Sequence, residues 1–124
     1  MRNKTFAVVL FALASMVAVS RTFAESELDF TLSNKTGYGI KAVYVAPSAS
    51  TTWEENLISE TLEHNEDVEI QFDPKGKHPS KWDIMIVFVD DDSKVYWKGC
   101  KLAEISKITL KYDRSTGATT ALTE

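Results

Sequence analysis

Downstream of residue 24, hydrophobic and polar residues alternate in short runs, the period-two pattern of strands with one face buried and one face wet. Leu28, Phe30 and Leu32 alternate with Asp29, Thr31 and Ser33 and predict a first strand. Asn34-Lys35-Thr36-Gly37 reads as a turn, because Asn and Gly tolerate the backbone angles of a tight reversal. Tyr38 to Ala46, YGIKAVYVA, is rich in aromatic and β-branched residues that suit a pleated surface, and Pro47 with the Ser/Thr cluster after it ends the run. Val68, Ile70 and Phe72 alternate with Glu69 and Gln71, and Asp73 to Pro79 is a loop by composition.

Trp82 to Val89, WDIMIVFV, is almost continuously apolar, which marks a central strand covered on both sides. Asp90-Asp91-Asp92-Ser93 then reads as a hairpin turn into Val95-Tyr96-Trp97. Ile105, Ile108, Leu110 and Tyr112 predict a last clear strand, and Gly117 to Leu122 an edge strand. Residues 52–62, TWEENLISETL, are the one stretch with helical spacing: Trp53, Leu57 and Ile58, with Thr51 or Thr52 as a cap. Six or seven antiparallel strands with a turn signal every ten or so residues predict an all-β chain, a single antiparallel β-sandwich over residues 25–124. At most a short helical turn is expected near 52–62.

The first 24 residues follow another pattern. Arg2 and Lys4 precede an apolar run of 14 residues, Phe6 to Val19, broken only by Ser15. A basic start, an apolar stretch of about 7–15 residues and small residues before a cut define a secretory signal. Thr22 and Ala24 supply the small side chains, so cleavage is expected before Glu25. A membrane-spanning helix needs about 20 apolar residues, and Arg21 interrupts too early. The expected location is therefore periplasmic or secreted, with no membrane insertion after cleavage.

Losing Arg2, Lys4 and Arg21 leaves 11 basic residues against 18 acidic ones and moves the net charge from −4 to −7. An acidic chain without a basic stripe repels phosphate backbones, so nucleic acid is not an expected partner. The single Cys, Cys100, excludes an internal disulfide and any multi-cysteine metal site. It reads as a small hydrophobe near Leu102, or as half of an intermolecular disulfide if exposed. His64 and His78 sit in polar segments without a nucleophile elbow, and no G-x-S-x-G occurs. Adjacent Glu54 and Glu55 diverge, so they do not form the carboxylate pair, about 5–10 Å apart, that glycoside hydrolysis needs. A small extracytoplasmic hydrolase stays as a second alternative, because a distant carboxylate pair is not visible in sequence.

Two binding readings remain. Trp53, Glu54, Glu55 and Asn56 follow the loop-like PSASTT, and a loop Trp beside polar groups can stack on a sugar ring or fill a partner's pocket. The plainer reading folds Trp53 back as a lid over one open end of the sandwich, while Trp82 and Trp97 read as core. Asp90, Asp91 and Asp92, helped by Asp73 from a second loop, are the candidate calcium ligands. A solvated turn that discourages strand aggregation explains the same run, and no EF-hand spacing is present. Asn34-Lys35-Thr36 also fits a glycosylation sequon.

The stretch from Asn34 to Ser48, with Trp53-Glu54-Glu55-Asn56-Leu57, Lys81-Trp82-Asp83-Ile84 and Glu104-Ile105-Ser106-Lys107-Ile108-Thr109-Leu110, resembles a family of small exported bacterial proteins. The resemblance covers most of residues 28–112 and implies a single β-sandwich with no activity common to its members. Some members carry an argininosuccinate lyase label, which a chain of this size cannot justify, since such lyases are far longer, helical and oligomeric. Many relatives have one Cys just before the Trp-Asp pair and another before the Glu-Ile-Ser run, where this chain has Ser80 and Ala103. The resemblance thus implies that a staple found in relatives is missing here. The expectation as a whole is an exported, non-catalytic module, monomeric or weakly dimeric. It would bind a protein or glycan through Trp53, Glu54, Glu55 and Asn56 without a cofactor, with calcium binding at Asp90–Asp92 as the first alternative.

Overall fold

The computed structural model describes residues 26–76 and 78–124; the expected leader, residues 1–24, lies outside them. Among the described residues, seven strands carry the fold: β1 Phe30–Lys35, β2 Ile40–Pro47, β3 Asp67–Ile70, β4 Trp82–Phe88, β5 Lys94–Cys100, β6 Lys107–Asp113 and β7 Ala118–Thr123. They form a four-stranded sheet in the order β3-β1-β6-β7 and a three-stranded sheet in the order β2-β4-β5. The two sheets pack into an all-β sandwich around one apolar cluster. Phe30 and Leu32 of β1, Val68 and Ile70 of β3, and Ile108 and Leu110 of β6 face Ile40 and Val43 of β2 and Trp82, Ile84, Ile86 and Phe88 of β4. Alternation in the sequence thus becomes two inward rows, which is how a sandwich buries enough surface to hold.

One pair departs from the antiparallel expectation: β1 and β6 run parallel, with Leu32 beside Ile108 and Asn34 beside Leu110. Period two reports which face of a strand is buried and nothing about its neighbour's direction. The chain reaches β6 from β5 of the other sheet through a short 3-10 turn, Leu102–Glu104, so direction is set by that crossover. Leu102, fully buried, plugs this end of the core.

Near 52–62, where at most a short helical turn is expected, none forms; the segment is irregular and ends in a bridge between Leu62 and Ile40. Its backbone is spent on the open edge of β2. Leu57 N–H donates to Val43 O at 2.8 Å, and Ile40 and Leu62 exchange both backbone bonds at 2.9 and 2.8 Å. The apolar spacing of Trp53, Leu57 and Ile58 therefore serves two sides of a sheet edge rather than one face of a helix. Ile58 and Leu62 join the core, with Leu57 packed against it.

Asn34, at the end of β1, is fully buried and uses all its hydrogen-bonding capacity. Its Nδ2 donates to Tyr38 O and Leu62 O, both at 2.8 Å, and its Oδ1 accepts from Thr36 N–H at 3.0 Å and Thr36 Oγ1 at 2.7 Å. The sequon residue is thus a buried clamp joining the turn after β1 to the segment before β3, and its amide nitrogen is closed to modification in the folded chain.

Candidate functional site

The two sheets differ on their outer faces. In the four-stranded sheet, register places Thr31, Ser33, Lys35, Asp67, Glu69, Thr109 and Lys111 outward, a polar surface whose four charged residues are exposed. In the three-stranded sheet, Tyr44, Met85 and Tyr96 stand in one row across β2, β4 and β5. Ala42 and Val87, then Ala46 and Asp83, form the rows on either side. Met85, Val87, Ala42 and Ala46 are all at most 7% exposed, although their side chains point away from the core.

Trp53 provides much of that cover. Its ring centroid lies 6.5 Å from Tyr44 and 6.2 Å from Tyr96. β2 and β5 flank β4 and so stand roughly 10 Å apart, and a ring that close to both tyrosines must sit above β4, over Met85. The lid expected over an open end of the sandwich is therefore on the outer face of the three-stranded sheet. Trp53 stays partly exposed there, and Tyr96 is 48% exposed.

Asn56 holds the loop in place. Its Oδ1 accepts from Val43 N–H at 2.9 Å and Ile58 N–H at 3.1 Å, and its Nδ2 donates to Lys41 O at 3.1 Å. These partners flank the bulge where β2 slips register between Ile40 and Ala42, so the side chain supplies bonds that the irregular edge lacks. Of the four residues expected to form a binding loop, Trp53 lies on the aromatic face, Asn56 is committed to backbone, and Glu54 and Glu55 are exposed beside them.

Asp83, on the same outer face, ties a third segment down. Its Oδ1 accepts from Ser48 Oγ at 2.7 Å and Gly99 N–H at 3.0 Å. The Ser48 bond foremost, then the Gly99 bond and the Lys98 charge, hold its carboxyl below the usual aspartate range. Gly99 has φ +69°, at the bulge where β5 opposes β4 out of step.

The candidate calcium ligands are not brought together. β4 separates the Asp90–Asp92 turn from Asp73: Phe72 packs on Trp82 at the start of the strand, with centroids 5.2 Å apart, whereas the turn follows its end. Seven extended residues span about 20 Å. Within the turn, Asp92 adopts φ +58° and pairs with Lys41, and Asp91 Oδ1 accepts from Ser93 N–H at 3.0 Å. Asp73 Oδ1 bonds Lys75 N–H at 2.8 Å in its own turn. Among the described residues, no group of three or more His, Cys, Asp or Glu is arranged to hold a metal ion.

The residues of nucleophilic chemistry are dispersed in the same way. His64 Nδ1 accepts Gly37 N–H at 2.9 Å, near the end of β4. His78 Nε2 meets Pro74 O at 3.1 Å in the loop before β4. Cys100 is half-buried and unpaired with another Cys; burial first, and then the Asp83 charge, push its thiol up, the opposite of what a nucleophile needs.

Tyr44, Met85 and Tyr96 were not among the expected site residues. The signal for them was the continuous apolar run of β4, which demands cover on both faces. No family model matches the chain, and no curated protein or solved structure matches it either.

Proposed function

We propose that this protein is an exported, non-catalytic binding module that engages a protein or glycan on the outer face of its three-stranded sheet, through Trp53, Tyr44 and Tyr96. The observation that supports this reading is the partly exposed aromatic trio on a sheet face where solvated polar residues are the default. Aromatic rings offer large, rigid contact area at little entropic cost and dominate recognition surfaces. Around them stand charged and polar groups, Lys94 and Lys98 on one side and Glu54 and Glu55 on the loop, giving the apolar centre and polar rim of a binding patch.

Export rests on Arg2, Lys4 and the Phe6–Val19 run, and on the resemblance to small exported proteins. A binding role rather than a chemical one is supported by the hydrogen bonds that hold His78 and Asp91 in their own turns and His64 to the turn at Gly37, and by the raised thiol of Cys100.

Tyr96→Ala is the discriminating variant, since a side chain 48% exposed carries little of the fold. The purified protein and the variant are screened against a glycan array and a displayed random-peptide library. The reading expects a ligand that the parent retains and Tyr96→Ala loses, with the melting temperature nearly unchanged. Equal binding by both would overturn the assignment of this face.

A further inference from the structure

We propose that the free edge of β5 receives an extended, acidic segment of a partner protein as an additional strand of the three-stranded sheet. This rests on the binding-module reading above and names its partner class.

The sheet edges are not alike. The edge of β2 is closed by Asn56, Leu57 and Leu62, and β3 is only four residues long. Among the described residues, nothing pairs with β5 beyond β4 or with β7 beyond β6. The segment that closes β2 runs directly into β3, so these two edges share one side of the sandwich and β5 and β7 share the other. On that side three strands lie over four. The inward row of β7 shows the missing cover: Thr119 and Ala121 are only half-buried and Thr123 is exposed. Val95 and Trp97, the inward residues of β5, are likewise half-buried. A fourth strand beside β5 would cover both rows.

Charge selects the occupant. The outward row of β5 is Lys94, Tyr96 and Lys98, continued by Lys101, a local basic strip on a chain with net charge −4. Among the described residues, these lysines close no ion pair; the pair formed is Lys41 with Asp92. Lysines on an edge discourage self-pairing. A second copy docked antiparallel about Tyr96 would set Lys94 opposite Lys98, like charge against like. An incoming strand with Asp or Glu at alternate positions meets the lysines instead. Its backbone completes the ladder, and its remaining side chains, all on the inward face, reach Val95 and Trp97. Main-chain bonds supply affinity and alternate side chains supply selectivity in this mode of recognition.

The test selects displayed random peptides of about ten residues on the purified protein, then maps the winners by amide hydrogen exchange. The expected result is enrichment of alternating acidic and β-branched peptides that slow exchange in Lys94–Cys100. Lys94→Glu with Lys98→Glu, folded by circular dichroism, should weaken them roughly tenfold or more and favour basic peptides instead. No enriched peptide, protection elsewhere, or indifference to the charge reversal overturns the proposal. So does self-association through β5 in sedimentation. If peptides fail but a glycan binds and is lost in Tyr96→Ala, the added strand falls while the aromatic-face reading stands. If neither binds, both fall.

Discussion

The outer faces of the two sheets obey different rules. On the four-stranded sheet, the central outward positions are the polar Ser33 and Thr109, among exposed Lys35, Lys111, Asp67 and Glu69. On the three-stranded sheet, the central outward position is Met85, 6% exposed, with Trp53 laid across it between two tyrosines. One sheet has a single apolar side and the other has two. A sheet face that recruits a loop to cover it, and still leaves aromatic edges in water, is prepared for contact in a way the wet face is not.

The sharpest way to break this contrast is to place the same charge on both faces. Met85→Lys buries an ammonium beneath Trp53 or expels the loop, and should cost about 3 kcal/mol or more. Thr109→Lys, at the matching central position of the other sheet, should stay within about 0.5 kcal/mol. Chemical denaturation of the two variants reads the difference directly. Comparable losses would show that the two outer faces are equally buried and that the contrast is false.

The next test leaves the faces alone and cuts the tether of the cover. Asn56→Ala strands Val43 N–H and Lys41 O at the β2 bulge and Ile58 N–H in the loop, all bonded by the Asn56 side chain. An expected loss of about 1–2 kcal/mol follows from three unpaired backbone groups near solvent. Limited proteolysis should show cleavage within residues 48–61 well before the strands are cut. A variant as resistant as the parent would mean that Trp53, not Asn56, holds the loop.

Much of this contrast was legible in the chain itself. The run from Trp82 to Phe88 has no polar side chain after Asp83, and a strand with no wet face must be covered twice. What covers it could not be read, because Trp53 lies 32 residues before Met85 and its spacing with Leu57 and Ile58 mimics a helix face. Helical periodicity and a loop that straddles a sheet edge place apolar residues at the same intervals. The direction of β6 was hidden for a similar reason, since alternation is blind to the neighbour's polarity. Asn34 and Asn56 look alike in sequence, both next to turn-like residues, and only tertiary context shows that each satisfies backbone at a strand end or bulge.

Acid separates the faces by a smaller amount. Asp83 on the covered face accepts from Ser48 and Gly99, bridging three segments. Asp113 at the end of β6 bonds Ser115 in its own turn. Both carboxyls are held below the ordinary aspartate value of about 3.9. The folded state therefore binds fewer protons than the unfolded one in this range. The stabilisation is complete above the unfolded value and is lost as pH falls through the lowered folded value. Asp83→Asn and Asp113→Asn should each flatten part of the acid limb of the stability–pH curve below about pH 4, but only Asp83→Asn also releases segments distant in the chain. An unchanged limb in Asp83→Asn would remove Asp83 as a tie across the covered face.

The smallest effect expected has the opposite sign. Ser33, on the outward side of β1, is 1% exposed, and among the described residues its Oγ is buried without a hydrogen-bond partner. The wet face thus shelters one hydroxyl beneath its longer neighbours, while the covered face has no such orphan among the described residues. Burying an unpaired hydroxyl costs free energy that burying the methyl group of alanine does not. Ser33→Ala removes the oxygen, leaves the backbone pairing with Asp67 and Thr109, and should raise stability by about 0.5 kcal/mol. A loss of similar size, measured by denaturation at neutral pH, would mean that the hydroxyl has a bonding partner in solution. The four-stranded face would then be as fully satisfied as the three-stranded one, and the asymmetry would reduce to the aromatic cover alone.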